Sequence, residues 1–173
     1  MKRTLLNFAV IGLLFLGGCG YKPVSHYARE QIHGLVYVTS ETSLQDPQNS
    51  VILQDSISQM IVGNLGLVLT DKKELADTVV SVSLGKARIS QIQYDTQGYV
   101  RTYRANVTVT LSYDNKVKKG TVSSSGEYDF EAGDIYTITD AERFNAIKQA
   151  SSKALEDILG KLAVESFKRD KSN

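Results

Sequence analysis

Few side chains in this 173-residue chain could do covalent or acid–base chemistry. Cys19 is the only thiol, and His26 and His33 are the only imidazoles. A Ser-His-Asp site needs a rigidly held base, and a zinc site needs three or four converging ligands. Neither constellation is visible, and the two histidines read as solvated. Ser123-Ser124-Ser125 lacks the Gly-x-Ser-x-Gly frame of a nucleophile elbow and reads as a polar strand or bulge. Asn106-Val107-Thr108 matches a glycosylation triplet but falls in an alternating strand pattern. Asp129, Glu131 and Asp134 lack the spacing of a calcium loop and read as turn-shaping carboxylates. No enzyme, metal or cofactor is expected.

The thiol has a telling context. Lys2 and Arg3 precede an apolar run from Leu5 to Leu16, which ends in Leu16-Gly17-Gly18-Cys19. A basic start, a short apolar stretch and small residues before a cleavage point form an export leader, and the run is shorter than the roughly 20 apolar residues needed to span a bilayer. The pattern resembles a bacterial lipoprotein leader: residues 1–18 are removed and Cys19 becomes the acylated first residue. The alternatives are an ordinary leader cut nearby or an uncleaved anchor. A lone exposed thiol would be a liability in an oxidising exported compartment, and lipidation removes it. Several acyl chains on one residue hold a protein at a membrane far longer than one chain does. Gly20, rather than Asp, follows the cysteine, so the expected address is the outer membrane.

The remaining chemistry is recognition. Tyr94, Tyr99, Arg101, Tyr103 and Arg104 interleave aromatic and guanidinium groups around a turn, and Lys116, Lys118 and Lys119 crowd the next one. Arginine forks match phosphate oxygens and stack on aromatic rings, so these tips are candidate contacts for a phosphorylated glycolipid or a partner. The plainer readings are cross-strand tyrosine packing beside solvated arginines and lysines guarding a sheet edge. Without Lys2 and Arg3 the chain carries 18 basic against 19 acidic residues, which argues against a nucleic-acid protein.

These residues need elements to hold them. Residues 20–33 lack a clean period and read as a tether. Leu35 to Ser40 is rich in β-branched residues and reads as a first strand. Leu53, Ile57, Met60, Ile61 and Leu65 recur at helical spacing, with Asn49 or Ser50 as the expected N-cap and Gly66 as the stop. Val80, Val82 and Leu84 alternate in a second strand that could continue to Ile92. Asp95 to Gly98 reads as a hairpin connection. Tyr103, Ala105, Val107, Val109, Leu111 and Tyr113 form one face of a long third strand, while Thr102, Arg104, Asn106, Thr108, Thr110 and Ser112 form the other. A fourth strand is expected within 116–130, irregular near Ser123–Gly126. Thr139 and Glu142 form a capping-box signature, and Phe144, Ile147, Ala150, Ala154, Ile158 and Leu162 make the stripe of a last helix reaching about Phe167. The order β-α-β-β-β-α predicts an α+β two-layer sandwich: one mixed four-stranded sheet with two helices packed on one face. The organisation is a leader at 1–18, a lipidated N-terminus and tether at 19–33, one domain at 34–168 and a disordered tail at 169–173.

The opening Cys19-Gly20-Tyr21-Lys22-Pro23, the step Ala76-Asp77 into the β meander, and the capped last helix carry a resemblance. With Ile92-Gln93-Tyr94-Asp95, Gly98-Tyr99-Val100, Ser125-Gly126-Glu127-Tyr128-Asp129-Phe130 and Arg143-Phe144-Asn145-Ala146-Ile147-Lys148, the chain resembles a divergent branch of the LPS-assembly lipoprotein family LptE. The resemblance implies a two-layer sandwich that sits as a plug in the outer-membrane β-barrel LptD and helps to place lipopolysaccharide in the outer leaflet. It also implies glycolipid contact through basic residues near the ends of the sheet. Arg101, Arg104, Lys116, Lys118 and Lys119 are the candidates by chemistry and position, with Tyr94, Tyr99 and Tyr103 as an aromatic tip. The alternative is an outer-membrane lipoprotein that activates a peptidoglycan synthase. That role calls for a long tether, whereas the 14 residues 20–33 span at most about 50 Å.

Overall fold

A computed structural model describes residues 24–41, 47–85, 87–131, 133 and 137–170. The leader, Cys19 and residues 171–173 lie outside the described residues. The chain runs α1 (Val24–Ala28), β1 (Leu35–Ser40), α2 (Pro47–Gly63), β2 (Val68–Leu69), a 3-10 turn (Lys73–Leu75), β3 (Thr78–Leu84), β4 (Arg88–Tyr94), β5 (Val100–Asp114), β6 (Lys119–Glu131) and α3 (Asp140–Asp170). The α+β two-layer architecture is as expected, but the sheet has six strands rather than four. Two-residue β2 is too short to show a period, and the single strand expected from 76 to 92 is broken in two.

β1 lies parallel to β3, with α2 as the crossover between them, the connection that returns a chain to the same sheet edge. Leu53, Ile57, Ile61 and Leu65 of this segment are all at most 1% exposed. The helix begins at Pro47, ahead of the Asn49 or Ser50 cap expected from sequence. Proline suits a first helical position because its missing N–H would have had no partner there, and the Ser50 hydroxyl instead donates to the Glu41 carbonyl at 3.4 Å. Gly66, in the left-handed region at φ +58°, ends the segment as predicted.

The long strand β5 organises the sheet. β6 pairs along it in unbroken antiparallel register from Asp114↔Lys119 to Thr102↔Glu131. On its other edge β3 pairs with its second half and β4 with its first. Between Leu84↔Val109 and Arg88↔Asn106, three residues on one side face two on the other, a bulge that reverses which parity faces the helices. Val80 and Val82 point inward before it, and Ile89, opposite Ala105, does so after it. The register shifts again at Ile92, since Gln91 pairs with Tyr103 and Gln93 with Thr102, and Ile92 is exposed at this second irregularity.

The irregularity expected at Ser123–Gly126 is absent. Ser124 and Gly126 face α3, while Ser123 and Ser125 meet hydroxyls of β5. A Cβ on Gly126 would fall on the Ala150 carbonyl oxygen and 2.7 Å from the Ala154 nitrogen. Glycine here lets strand and helix approach closely.

α3 begins at the predicted capping box. Glu142 N–H donates to Thr139 Oγ1 at 3.2 Å, and Thr139 N–H donates to Glu142 Oε2 at 2.8 Å. The Thr139 donors hold the Glu142 carboxyl below its usual value. The stripe from Ile147 to Leu162 is buried, but Phe144, one turn into the helix, is 44% exposed.

The expected tether is also revised. Residues 24–33 pack on the domain, because Ala28 and Ile32 supply apolar surface that no clean helical period advertises. Both are fully buried in the common core, and Thr78 Oγ1 ties the segment down by accepting from His33 N–H and donating to His33 O. His26 and His33 themselves are exposed.

Candidate functional site

The outward face of β5 and β6 is a ladder of polar pairs. Thr108 meets Ser125 at 3.0 Å, Thr110 donates to Ser123 at 3.2 Å, and Ser112 meets Thr121 at 3.0 Å. Asn106 donates to Glu127 at 2.9 Å, and Arg104 closes the row with a fork to Asp129 at 2.6 and 2.8 Å. Strict alternation on both strands puts this row outside and the apolar row inside. Each hydroxyl already has a neighbour, so the face is polar and paired within itself.

This pairing changes the standing of Arg104. Besides Asp129 it holds Glu127 at 3.2 Å, and the Asp129 hydrogen bond and charge raise its affinity for the proton. Both fork nitrogens are spent on the sheet. Tyr103 faces the other way: it is 7% exposed and stacks on Phe130 with ring centres 5.8 Å apart. It belongs to the core edge and not to an aromatic tip. Tyr94 and Tyr99 are 58% and 54% exposed, with the Tyr94 hydroxyl donating to Gln91 at 2.9 Å. Arg101 is exposed beside them and makes no ion pair with another described residue.

The lysines sit elsewhere. The 15 residues of β5 separate the two turns, and at about 3.3 Å per residue the tips lie on the order of 45 Å apart. Arg101 and the lysine turn therefore cannot form one site. Lys119 pairs with Asp114 at 2.9 Å, and Lys116 lies 3.7 Å from Asp77. Lys118 lies over the Tyr113 ring at 5.9 Å and donates to Gln31 Oε1 at 3.3 Å.

Beneath this turn lies a buried polar knot that sequence reasoning missed. Asn115 Nδ2 donates to the Gln31 carbonyl at 2.9 Å, and the Tyr113 hydroxyl donates to Gln31 Oε1 at 2.9 Å. Asn115 Oδ1 accepts from Val117 N–H at 3.2 Å and Lys118 N–H at 2.7 Å. The Asp114-Asn115 pair signals the turn, but nothing in the sequence marks Gln31 as its partner.

One cluster looks more chemical than it is. Ser124 donates to Asp157 and accepts from Lys161 at 2.9 Å, and Lys161 pairs with Asp157 at 3.0 Å. The Ser124 hydrogen bond, then that of Lys161, hold the Asp157 carboxyl below its usual value, so it stays ionised. A lysine acting as base toward serine must be neutral, whereas this one sits in an ion pair; the trio clamps β6 to α3. Among the described residues no group of three His, Cys, Asp or Glu side chains could hold a metal, and no helix is long and apolar enough to cross a membrane.

No curated protein matches the chain in sequence. Among solved structures it is similar to the rare lipoprotein B from Shewanella oneidensis, at 13% identity and TM-score 0.51, over 79% of this chain and 99% of that one. A lipoprotein from Caulobacter crescentus aligns at 13% identity and TM-score 0.47, over 84% of this chain and 96% of that one. Lipoprotein B from Nitrosomonas europaea aligns at 13% identity and TM-score 0.43, over 77% and 84%. At such identities the likeness concerns the fold alone, and of these three the Shewanella structure is the one close enough to weigh. The sequence profile described as LptE, lipopolysaccharide-assembly, matches residues 36–162. That match takes in every strand of the sheet and most of α3, the polar ladder and both hairpins included, and the chain accordingly belongs to the LptE family, a non-enzymatic component of lipopolysaccharide assembly in the cell envelope.

Proposed function

We propose that this chain is an outer-membrane lipoprotein, anchored through an acylated Cys19, that serves lipopolysaccharide assembly as the plug and partner of an LptD-type β-barrel. The observation that supports this most directly is the outward face of β5 and β6, polar from end to end and paired within itself. Such a face loses little on entering a water-filled lumen and offers no apolar patch to a bilayer. Direct contact with lipopolysaccharide is assigned to Arg101, whose guanidinium stands exposed at the β4–β5 end. Arg104 already has two carboxylates and is a poorer phosphate ligand. Only four residues separate Cys19 from α1, a reach of under about 20 Å. This short link suits a partner in the same membrane better than a synthase across the periplasm.

The test is a crosslinked pull-down of the tagged protein from its native outer membrane, with partners identified by mass spectrometry. A stoichiometric large β-barrel is the expected result; a peptidoglycan synthase with no barrel overturns the proposal.

A further inference from the structure

Val117 is 92% exposed, more than any other large apolar side chain among the described residues; the next, Val68, is 64% exposed. It is not at the end of a loose loop. The turn that carries it is stitched by Asn115 to the Val117 and Lys118 amides. Asp114 Oδ1 accepts from Lys116 N–H at 3.1 Å, and Lys116 takes the left-handed conformation at φ +66°. Asn115 and Gln31 at its base are 6% and 3% exposed. The fold thus holds a valine rigidly out in solvent.

Gln31 ties the start of the described chain to this turn. That residue bonds Tyr113, Asn115 and Lys118 at the β5–β6 end of the sheet, and it lies just beyond α1, which begins five residues after Cys19. The first helix is only about 6 Å long and Gln31 follows it by three residues, so the chain's emergence point at Val24 lies within about 17 Å of Gln31. At about 3.6 Å per residue, that emergence point is within roughly 18 Å of the cysteine. Residues 114–119 carry three lysines against Asp114, and Asp77 adds a second carboxylate 3.7 Å from Lys116, which leaves one positive charge in excess. Lysines flanking an apolar residue can keep their charge at headgroup level while the apolar group sinks below it.

We propose that the β5–β6 turn is a second membrane contact, with Val117 seated among the anionic phospholipid headgroups of the leaflet that holds the protein's own lipid anchor, and Lys116 and Lys119 exchanging their single, exposed pairs with Asp77 and Asp114 for the lipid phosphates. The inference rests on the reading of Cys19 as the anchor. It gives the two basic ends of the sheet different tasks: the lysine turn orients the domain on its membrane, and the Arg101 end points away from it.

The full-length acylated protein, carrying V117C or Q97C with an environment-sensitive fluorophore, is reconstituted on phosphatidylcholine vesicles with or without phosphatidylglycerol. Nitroxide-labelled lipids report the depth of the fluorophore. The label at 117 is expected to shift to the blue and to be quenched several-fold more strongly when phosphatidylglycerol is present, while the label at 97, on the far hairpin, stays aqueous. Lys116→Glu with Lys119→Glu is expected to abolish the difference without altering the circular dichroism. Protein that floats with the vesicles while both labels stay equally aqueous overturns this proposal and leaves the anchor intact. Equal insertion at 117 without phosphatidylglycerol overturns the anionic specificity. Flotation unchanged by Cys19→Ala overturns the anchor reading itself, and this inference with it.

Discussion

The two hairpins at the ends of β5 carry similar residues and are built differently. The turn at 95–98 is held by its own neighbourhood: Asp95 Oδ1 accepts from Gln97 N–H at 2.9 Å and Tyr99 N–H at 2.8 Å, and Gly98 takes φ +87°. The turn at 114–119 is held by Gln31, more than 80 positions earlier in the chain. Tyr113 and Lys118 are tied into this buried network, whereas Tyr94, Tyr99 and Arg101 project from a hairpin supported mainly by its own turn. Long-range hydrogen bonds make a turn open with the fold; local ones let it open alone. A basic and aromatic cluster in a sequence can thus be either a fixed abutment or an adaptable tip, and the buried partner distinguishes them.

Gly126 lies between the two ends and tests whether both depend on one platform. Gly126→Val is expected to unseat α3 from β6 and to cost at least about 3 kcal/mol, read as a large fall in the urea midpoint with both hairpins losing exchange protection. Survival of protection at 114–119 alone would detach that turn from the sheet. Asn115→Ala should cost about 2 kcal/mol, since it removes the bond to Gln31 and leaves turn amides without their acceptor. Amide exchange should accelerate at 116–119 and remain unchanged at 97–99. Gly98→Ala forces a side chain into a left-handed position with open space around it, so about 1 kcal/mol is expected, confined to faster exchange at 95–99.

Acidification is the mildest of these perturbations. The Asp77 carboxyl is held below its usual value first by the Leu35 N–H, and Asp114 first by Lys119. A carboxyl so depressed contributes stability above its unfolded value and loses it as pH falls through its folded one. Below about pH 4 the 114–119 turn should begin to loosen, as small changes in amide shifts; because both carboxylates are exposed, the global melt should barely move over the first part of that range.

Much of the sandwich was legible because period and capping report local preference. β1, the inward row of β5 and the Thr139 cap follow from alternation and from one three-residue spacing. The 24–33 segment was not legible, since Ala28 and Ile32 supply too few apolar positions to show a period and are buried only by joining the common core. The candidate site divided in the same way. The polar row of β5 could be read, but its partners on β6 depend on register, so the engagement of Arg104 by Asp129 and Glu127 could not. Tyr103 looked like part of a tip because it lies close to Tyr99 in sequence; strand parity turns it inward.

By itself the sequence determined the class of the fold: an α+β pattern, a capped last helix, and a strand with one wet and one dry face. Those properties are carried by short-range spacing, which any reader of the chain can measure. Tertiary structure alone decided which basic groups already have partners, which parity of β4 faces the core after the bulge, and that Gln31 sits under the lysine turn. These depend on pairs such as Ile89 with Ala105, Arg104 with Asp129 and Lys118 with Gln31, and such pairings are chosen by the packing of the whole sheet against its helices rather than by any local preference.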